Sequence, residues 1–315
     1  VLLAHNIYGK EVIIPSQTFI ATGMAVHLSG GIPVFAEISE DTLCLDLEDV
    51  KKKVTPRTAG IVLVHMAGLL TPQVLNFRKY CDSTGIFLIE DAAHAPGAKR
   101  EGKESGSIGH AGCFSFYPTK VITSGEGGMV TTNDPTIASF AKSYQNRGRD
   151  LSSRIETYVN PGRNVRMTEI CALLGRVQLS HLDEFLSHRR MIASIYIDDL
   201  RNISNIQLLI PDNLNNSSFW KFPILLSPDV NRNYIAKRLL EIGIATDYGY
   251  QPALHLQPVF RSIYGFEQGL LPHTEAILSR HLCLPCHPGM SKEDAHFVSE
   301  SLSGLIDDSP LSFKK

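Results

Sequence analysis

Short apolar runs alternate with stretches of helical periodicity through the first half of the chain. Residues 11–14 read as a strand ended by Pro15. Ser16 or Thr18 is positioned to cap a helix over about 19–28, closed by Gly30 and Gly31. A second strand is expected at 33–36, a short helix at 47–54 and a third strand at 60–65. That strand is apolar throughout, as in a sheet covered on both faces. A helix over 72–83 starts at Pro72 and ends at Gly85. The run Ile86-Phe87-Leu88-Ile89 then forms a fourth strand that leads directly into Glu90 and Asp91. This alternation predicts an α/β fold, a mostly parallel central sheet with crossover helices. Ligands of such sheets collect at the carboxyl ends of the strands, where Asp91, His65 and Ser115 lie. A helix N-cap is the plainer role for Asp91.

Further along, 129–132 reads as a strand and Asp134-Pro135 opens a helix to about 144. Residues 145–164 form a polar loop carrying Arg147, Arg149, Arg154 and Arg163. A strongly amphipathic helix follows over 168–185, with Thr168 as cap and Ile170, Leu173, Leu174, Val177 and Leu182 on its apolar side. A second helix over about 188–200 continues without a real break. After Pro211 come a polar loop at 213–218, a strand at 219–226 containing Trp220, and a helix at 231–242 ended by Gly243. The change of character predicts two domains: a large one over 1–187 and a smaller α+β domain over 188–315.

The stretch from Gly112 to Met129 carries the candidate chemistry. An apolar-aromatic run (Cys113, Phe114, Phe116, Tyr117) is broken by Ser115 and stopped by Pro118. It delivers Lys120 into a cluster formed by Gly125, Gly127 and Gly128 around Glu126. Desolvation disfavours an ammonium, so a buried lysine at such a turn suits imine chemistry. Taken alone, the stretch reads as readily as a strand ending in a solvated lysine.

Composition narrows the class. Thirty basic against 32 acidic residues give a net charge of -2, which suggests no polyanionic partner such as nucleic acid. No apolar run approaches membrane-spanning length and the first residues lack a basic start, so a cytoplasmic location is expected. The six cysteines read as reduced thiols. Cys283-Leu-Pro-Cys286-His287 matches the haem c attachment spacing, but it also reads as a short strand at 282–284 ended by proline, and no metal is expected.

Several segments act together. Asp91 ends a strand in Glu-Asp-Ala-Ala-His-Ala-Pro-Gly-Ala; Ser115 and Lys120 lie in Ser-Phe-Tyr-Pro-Thr-Lys, followed by Gly-Glu-Gly-Gly. Asn164-Val-Arg-Met-Thr-Glu precedes the amphipathic helix, and the late segments around His255, Glu275 and Leu284-Pro-Cys-His-Pro288 complete the pattern. The chain resembles, over essentially its whole length, the DegT/DnrJ/StrS family of pyridoxal-phosphate-dependent nucleotide-sugar aminotransferases of the aspartate aminotransferase fold type. The resemblance implies that Lys120 forms an imine with pyridoxal 5′-phosphate and shuttles a proton. It implies that Asp91 pairs with the pyridine nitrogen, Ser115 donates to the phosphate, His94 contacts the ring hydroxyl and Phe19 stacks on the ring. Phe19 could equally be plain core. Asn164 would reach the partner's phosphate across a homodimer with shared sites. The implied substrates are a nucleotide-linked keto-deoxysugar and an amino donor, glutamate, with the arginine-bearing loop near the diphosphate or simply solvated.

The chain opens at Val1-Leu2-Leu3-Ala4-His5, which reads as the latter half of a helix whose first half carries part of the phosphate cup in relatives. Phosphate sites draw on backbone N–H groups at helix starts. Either the sequence is part of a longer chain or the phosphate is held with fewer groups, and the alternative expectation is then a catalytically impaired relative acting as a dimeric binding module.

Overall fold

A computed structural model describes residues 1–307; residues 308–315, the end of the expected second domain, lie outside the described residues. The chain runs β1 (Glu11–Pro15), α1 (Ile20–Leu28), β2 (Ile32–Ala36), α2 (Leu47–Lys53), β3 (Thr58–Val64), α3 (Val74–Thr84) and β4 (Phe87–Asp91). A short hairpin, β5 (Lys99–Arg100) and β6 (Lys103–Glu104), leads to β7 (Ala111–Ser115), β8 (Gly128–Thr131) and α4 (Pro135–Gln145). The central sheet has six strands in the order β2-β1-β3-β4-β7-β8, parallel except where β8 returns antiparallel to β7.

Alternation along the strands builds two cores. Ile13, Ile61, Leu63 and Leu88 face one apolar cluster with Val50, Val74 and Phe77 of α2 and α3. Their neighbours Val12, Ile14, Val62, Phe87 and Ile89 face the other, with Val26 of α1. The sheet is therefore buried on both sides, which is why its strands read as continuous apolar runs.

The rest of the chain comprises α5 (Glu169–Ser180), α6 (Leu182–Leu200), β9 (Ile206–Leu208), β10 (Phe222–Leu226), α7 (Arg232–Glu241), α8 (Pro258–Tyr264), α9 (Pro272–Arg280), β11 (His281–Leu284) and α10 (Lys292–Asp307). A three-stranded antiparallel sheet, β11-β10-β9, packs on α6, α7 and α10 around a separate core that includes Tyr196, Phe222, Ile235 and Leu302. Among the described residues no helix is long and apolar enough to cross a membrane.

Three expectations are corrected. The amphipathic helix breaks at His181, which caps α5 and opens α6, so the break precedes the expected one. More consequentially, none of α5 is buried: Ile170 is 81% exposed, and Leu173, Leu174 and Val177 are exposed with it. The periodicity is genuine, but of the expected apolar side Leu182, now at the start of α6, packs against Val121, Leu186 and Trp220, whereas Ile170, Leu173, Leu174 and Val177 stay exposed. Finally, the strand expected from 219 begins at Phe222. Phe219 adopts a left-handed backbone, and its carbonyl and that of Trp220 accept from Nη1 of the buried Arg189, both at 3.1 Å. Those carbonyls are taken by a side chain from α6, so the segment cannot join the ladder.

Buried polar ties shape the strand ends. The Glu90 carboxylate is fully buried and accepts from Gly106 N at 2.9 Å, Ile108 N at 2.7 Å and Gly109 N at 2.6 Å, with His65 Nε2 at 2.8 Å. Burial by itself would raise this carboxyl. The His65 hydrogen bond and charge and the Gly109 and Gly106 N–H groups outweigh it and hold Glu90 below the usual range. A depressed carboxyl stabilises the fold above its ordinary pKa, and that stabilisation is lost as pH falls through the folded-state value. Glu90→Gln replaces an acceptor by an amide donor facing N–H groups. It is expected to cost about 3 kcal/mol at neutral pH. Thermal denaturation of the two proteins would read this as a lowered midpoint, with a gap that narrows in acid.

Candidate active site

Lys120 sits at the tip of a loop between β7 and β8 that closes on itself. The Phe116 N–H donates to Gly127 O and the Ser124 N–H to Phe116 O, both at 2.9 Å, and the Lys120 N–H donates to Tyr117 O at 3.0 Å. The loop is not the extension of a strand, because β7 ends at Ser115. Gly125 lies at φ 78°, a conformation open to glycine, and a Cβ on Gly128 would stand 2.7 Å from Phe114 O. The glycine cluster thus lets the loop return tightly beside β7.

Asp91 ends β4, next to β7, with Asp91 opposite Cys113 in the register. Asp91 and Lys120 line one cavity of ≈ 1040 Å³, together with Phe19, His94, Ser115 and Trp220. Asp91 Oδ2 accepts from the Thr22 hydroxyl of α1 at 2.7 Å, and Thr22 Oγ1 lies 2.8 Å from Thr18 Oγ1. Asp91 Oδ1 accepts from the Ala93 N–H at 3.2 Å. The carboxylate is therefore held in orientation from two sides.

The expected companions divide as follows. Ser115 Oγ accepts from the Tyr117 N–H at 3.4 Å, and its own proton has no acceptor among the described residues. His94 is buried, with Nε2 2.9 Å from the Tyr250 hydroxyl, and its Nδ1 has no partner. Phe19 is not core: it precedes α1 as its N-cap, is 54% exposed and stands at the cavity wall, 5.8 Å from the Tyr250 ring. His65, at the end of β3, does not line the cavity and is spent on Glu90. Asn164 is exposed and opposes Asn146 in an isolated bridge, away from the cavity lining. Arg163 lines a second, smaller cavity of ≈ 430 Å³ that shares Asp91 and Ser115 as a wall. Cys283 and Cys286 are buried, and burial pushes both thiols up to about 12, so neither offers a ready thiolate.

The opposite wall comes from sequence-distant residues. The Trp220 indole stacks on the His94 ring at 3.9 Å and donates from Nε1 to Thr119 O at 2.6 Å. Lys120 Nζ lies 4.3 Å from the Trp220 ring centroid. The loop bearing Tyr250 is pinned to the sheet, since Leu254 N donates to Ser16 O at 2.8 Å. The Ser16 hydroxyl meets His255 Nδ1 at 2.6 Å, and His255 Nε2 meets Glu275 at 3.1 Å. A sole tryptophan next to a strand was the only mark in the sequence that could have pointed to this wall; Lys221, Tyr250 and Thr22 left none.

Burial lowers the Lys120 amine to about 8; the Asp91 carboxylate pulls it up and Lys221 pushes it further down. His94 is held well below its ordinary value, by burial first and then by Lys120 and Lys221, so the imidazole is neutral. An amine that deprotonates near neutrality, facing a fixed carboxylate, can form an imine and carry a proton. The donor set also fits a phosphorylated pyridine aldehyde: an amine for the aldehyde, a carboxylate for the ring nitrogen, an uncommitted hydroxyl for the phosphate and an unpaired imidazole nitrogen.

Comparison with known proteins follows the same line. Residues 1–303 match the model of the DegT/DnrJ/EryC1/StrS aminotransferase family. The chain is 32% identical over 302 residues to the GDP-perosamine synthase of Escherichia coli O157:H7, covering 95% of this chain and 80% of that protein. It is 31% identical over 313 residues to the dTDP-4-dehydro-2,3,6-trideoxy-D-glucose 4-aminotransferase of Saccharopolyspora spinosa, covering 95% and 79%. Among solved structures, Helicobacter pylori PseC, an aminotransferase of pseudoaminic acid biosynthesis, superposes with a TM-score of 0.89 at 26% identity. That match covers 98% of this chain and 84% of that one.

The lowered amine can be checked on the full chain before cofactor is added. Competitive labelling with an amine reagent, followed by mass spectrometry of the Lys120 peptide, should give a titration midpoint near 8. Ordinary surface lysines should react with a midpoint of about 10.4.

Proposed function

We propose, from the premise that the chain belongs to the DegT/DnrJ/EryC1/StrS aminotransferase family, that Lys120 and Asp91 are the residues around which its reaction is organised. The protein is a pyridoxal-phosphate-dependent aminotransferase of amino-sugar biosynthesis acting on nucleotide-linked sugars. In the proposed reaction the amino donor is glutamate and the acceptor is a keto carbon of a nucleotide-linked deoxysugar. The observation that carries the residue assignment is a single cavity that presents both the lowered amine of Lys120 and the doubly tethered carboxylate of Asp91.

The cofactor, when bound, supplies an electron-accepting ring that stabilises negative charge at the reacting carbon. Every remaining task falls to the protein. Lys120 Nζ is the amine that would hold the cofactor's aldehyde group, and as a free amine it would carry the proton at the reacting carbon. Asp91 keeps a proton on the ring nitrogen, and the Thr22 hydroxyl and Ala93 N–H keep its oxygens aimed. Ser115 offers its hydroxyl to the phosphate. His94, neutral and stacked on Trp220, offers Nδ1 to the ring hydroxyl, and Phe19 covers the ring.

A homodimer is part of the reading. The exposed apolar side of α5 (Ile170, Leu173, Leu174, Val177) is continuous in sequence with exposed Leu151, Ile155, Tyr158, Val159 and Val165. Apolar surface on that scale favours a partner, and a second copy would bring Asn164 and Arg163 toward a neighbouring phosphate.

Two experiments test these points. Lys120→Ala should reduce turnover of keto-sugar nucleotides with glutamate by at least about 10³-fold while leaving circular dichroism unchanged. Asp91→Asn should lose about 10³-fold, because an amide holds no proton on the ring nitrogen. Appreciable transamination by Lys120→Ala would remove that residue from its role. Separately, Ile170→Asp with Val177→Asp should shift the protein to monomer in sedimentation and lower activity with it; an unchanged mass would place the interface elsewhere.

A further inference from the structure

Lys120 is not the only ammonium at the indole. Lys221 Nζ lies 4.4 Å from the Trp220 ring centroid, against 4.3 Å for Lys120, so one aromatic ring serves two cations. The arrangement is stiff. Trp220 is stacked on buried His94 at 17° and hydrogen-bonded to the carbonyl of Thr119, the residue before Lys120. Lys221 is ion-paired to Asp247, whose Oδ1 accepts from Gly249 N at 2.7 Å, and Asp247 pairs through its backbone with Cys283 of β11. Both ammonium groups thus stand at the same indole.

We infer that Lys221 is a positioning residue for the transamination: its ammonium, fixed by Trp220 and Asp247, adds to burial in setting what fraction of Lys120 stands as free amine, and Asp247 opposes it. This rests on Lys120 being the imine-forming residue. Like charges in one desolvated cavity disfavour each other, and a carboxylate beside one of them weakens that effect. The other groups facing Lys120 do not substitute for this pair. Asp91 at the end of β4 draws the proton back onto the amine. His94 is held neutral, the Tyr250 phenol is raised by burial and stays protonated, and the Cys283 and Cys286 thiols are pushed up to about 12. Arg189 of α6 is held through Nη1 by the carbonyls of Phe219, Trp220 and Cys286, and Glu126, Tyr117 and His287 are the further titratable residues of the lining.

The signs make the test selective. Lys221→Met removes the repelling charge and leaves Asp247 unpaired, so the Lys120 midpoint should rise by about one pH unit. Asp247→Asn leaves Lys221 uncompensated, so the midpoint should fall. Lys221→Arg keeps the charge and should restore the original value within a few tenths of a unit. Competitive labelling of the Lys120 peptide in the full chain reads all three. With cofactor bound, the pH titration of the visible absorbance should move in the same directions. A merely structural role would move Lys221→Met and Asp247→Asn together, because both break the same ion pair. Movement in the same direction, an unchanged midpoint in folded Lys221→Met, or no recovery in Lys221→Arg would overturn the inference. Retained turnover in Lys120→Ala would instead overturn the reading on which it rests, so the two failures are separable.

Discussion

The desolvation of one amine is the constraint to which the rest of this molecule answers. An ammonium loses solvation when it is buried, so Lys120 gives up its proton near neutrality only because a second wall closes over it. The first wall is the carboxyl edge of the parallel sheet, where neighbouring strands β4 and β7 end in Asp91 and Ser115. The second wall is the segment before β10, with Trp220 against His94 and Lys120. Without that segment Lys120 would be a solvated side chain at a glycine turn.

Holding the two walls together takes buried polar ties rather than more apolar area. Arg189 gathers carbonyls from the Trp220 segment and from Cys286. The Ser218 hydroxyl donates to His94 O at 2.5 Å, and Ser16, His255 and Glu275 fasten the Tyr250 loop to β1. Such contacts are directional, so they fix register where apolar packing would tolerate sliding. Glu90 does the same below Asp91 by organising residues 106–109 through their N–H groups. Most polar groups around the site are paired; His94 Nδ1, Arg189 Nε and the Ser115 proton, all on residues that line the cavity, are not.

The exposed side of α5 is the counterpart of this economy. Its apolar residues recur at helical spacing but are not buried among the described residues. Together with Asn164 lying outside the cavity, this fits an enzyme whose site is completed by a second copy, as proposed above.

The alternation that builds two cores was legible from residue order, because pleat and helix periods are local properties of the backbone. So was the placing of Asp91 and Ser115 at strand ends and of Lys120 before a glycine turn, since short apolar runs mark strands while proline and glycine mark turns. What residue order could not reveal was which surfaces meet. Val12 and Ile170 look alike as apolar positions, yet one is fully buried and the other is 81% exposed. Trp220 reads as part of a strand, yet Arg189, 31 positions earlier, binds its carbonyl and its indole turns to the loop that bears Lys120. Lys221, Asp247 and Tyr250 gain their meaning only by arriving there. The amine chemistry of Lys120 is therefore encoded locally as a residue and a turn, but its acidity is a property of the tertiary structure, because desolvation and charge depend on what lies nearby in space.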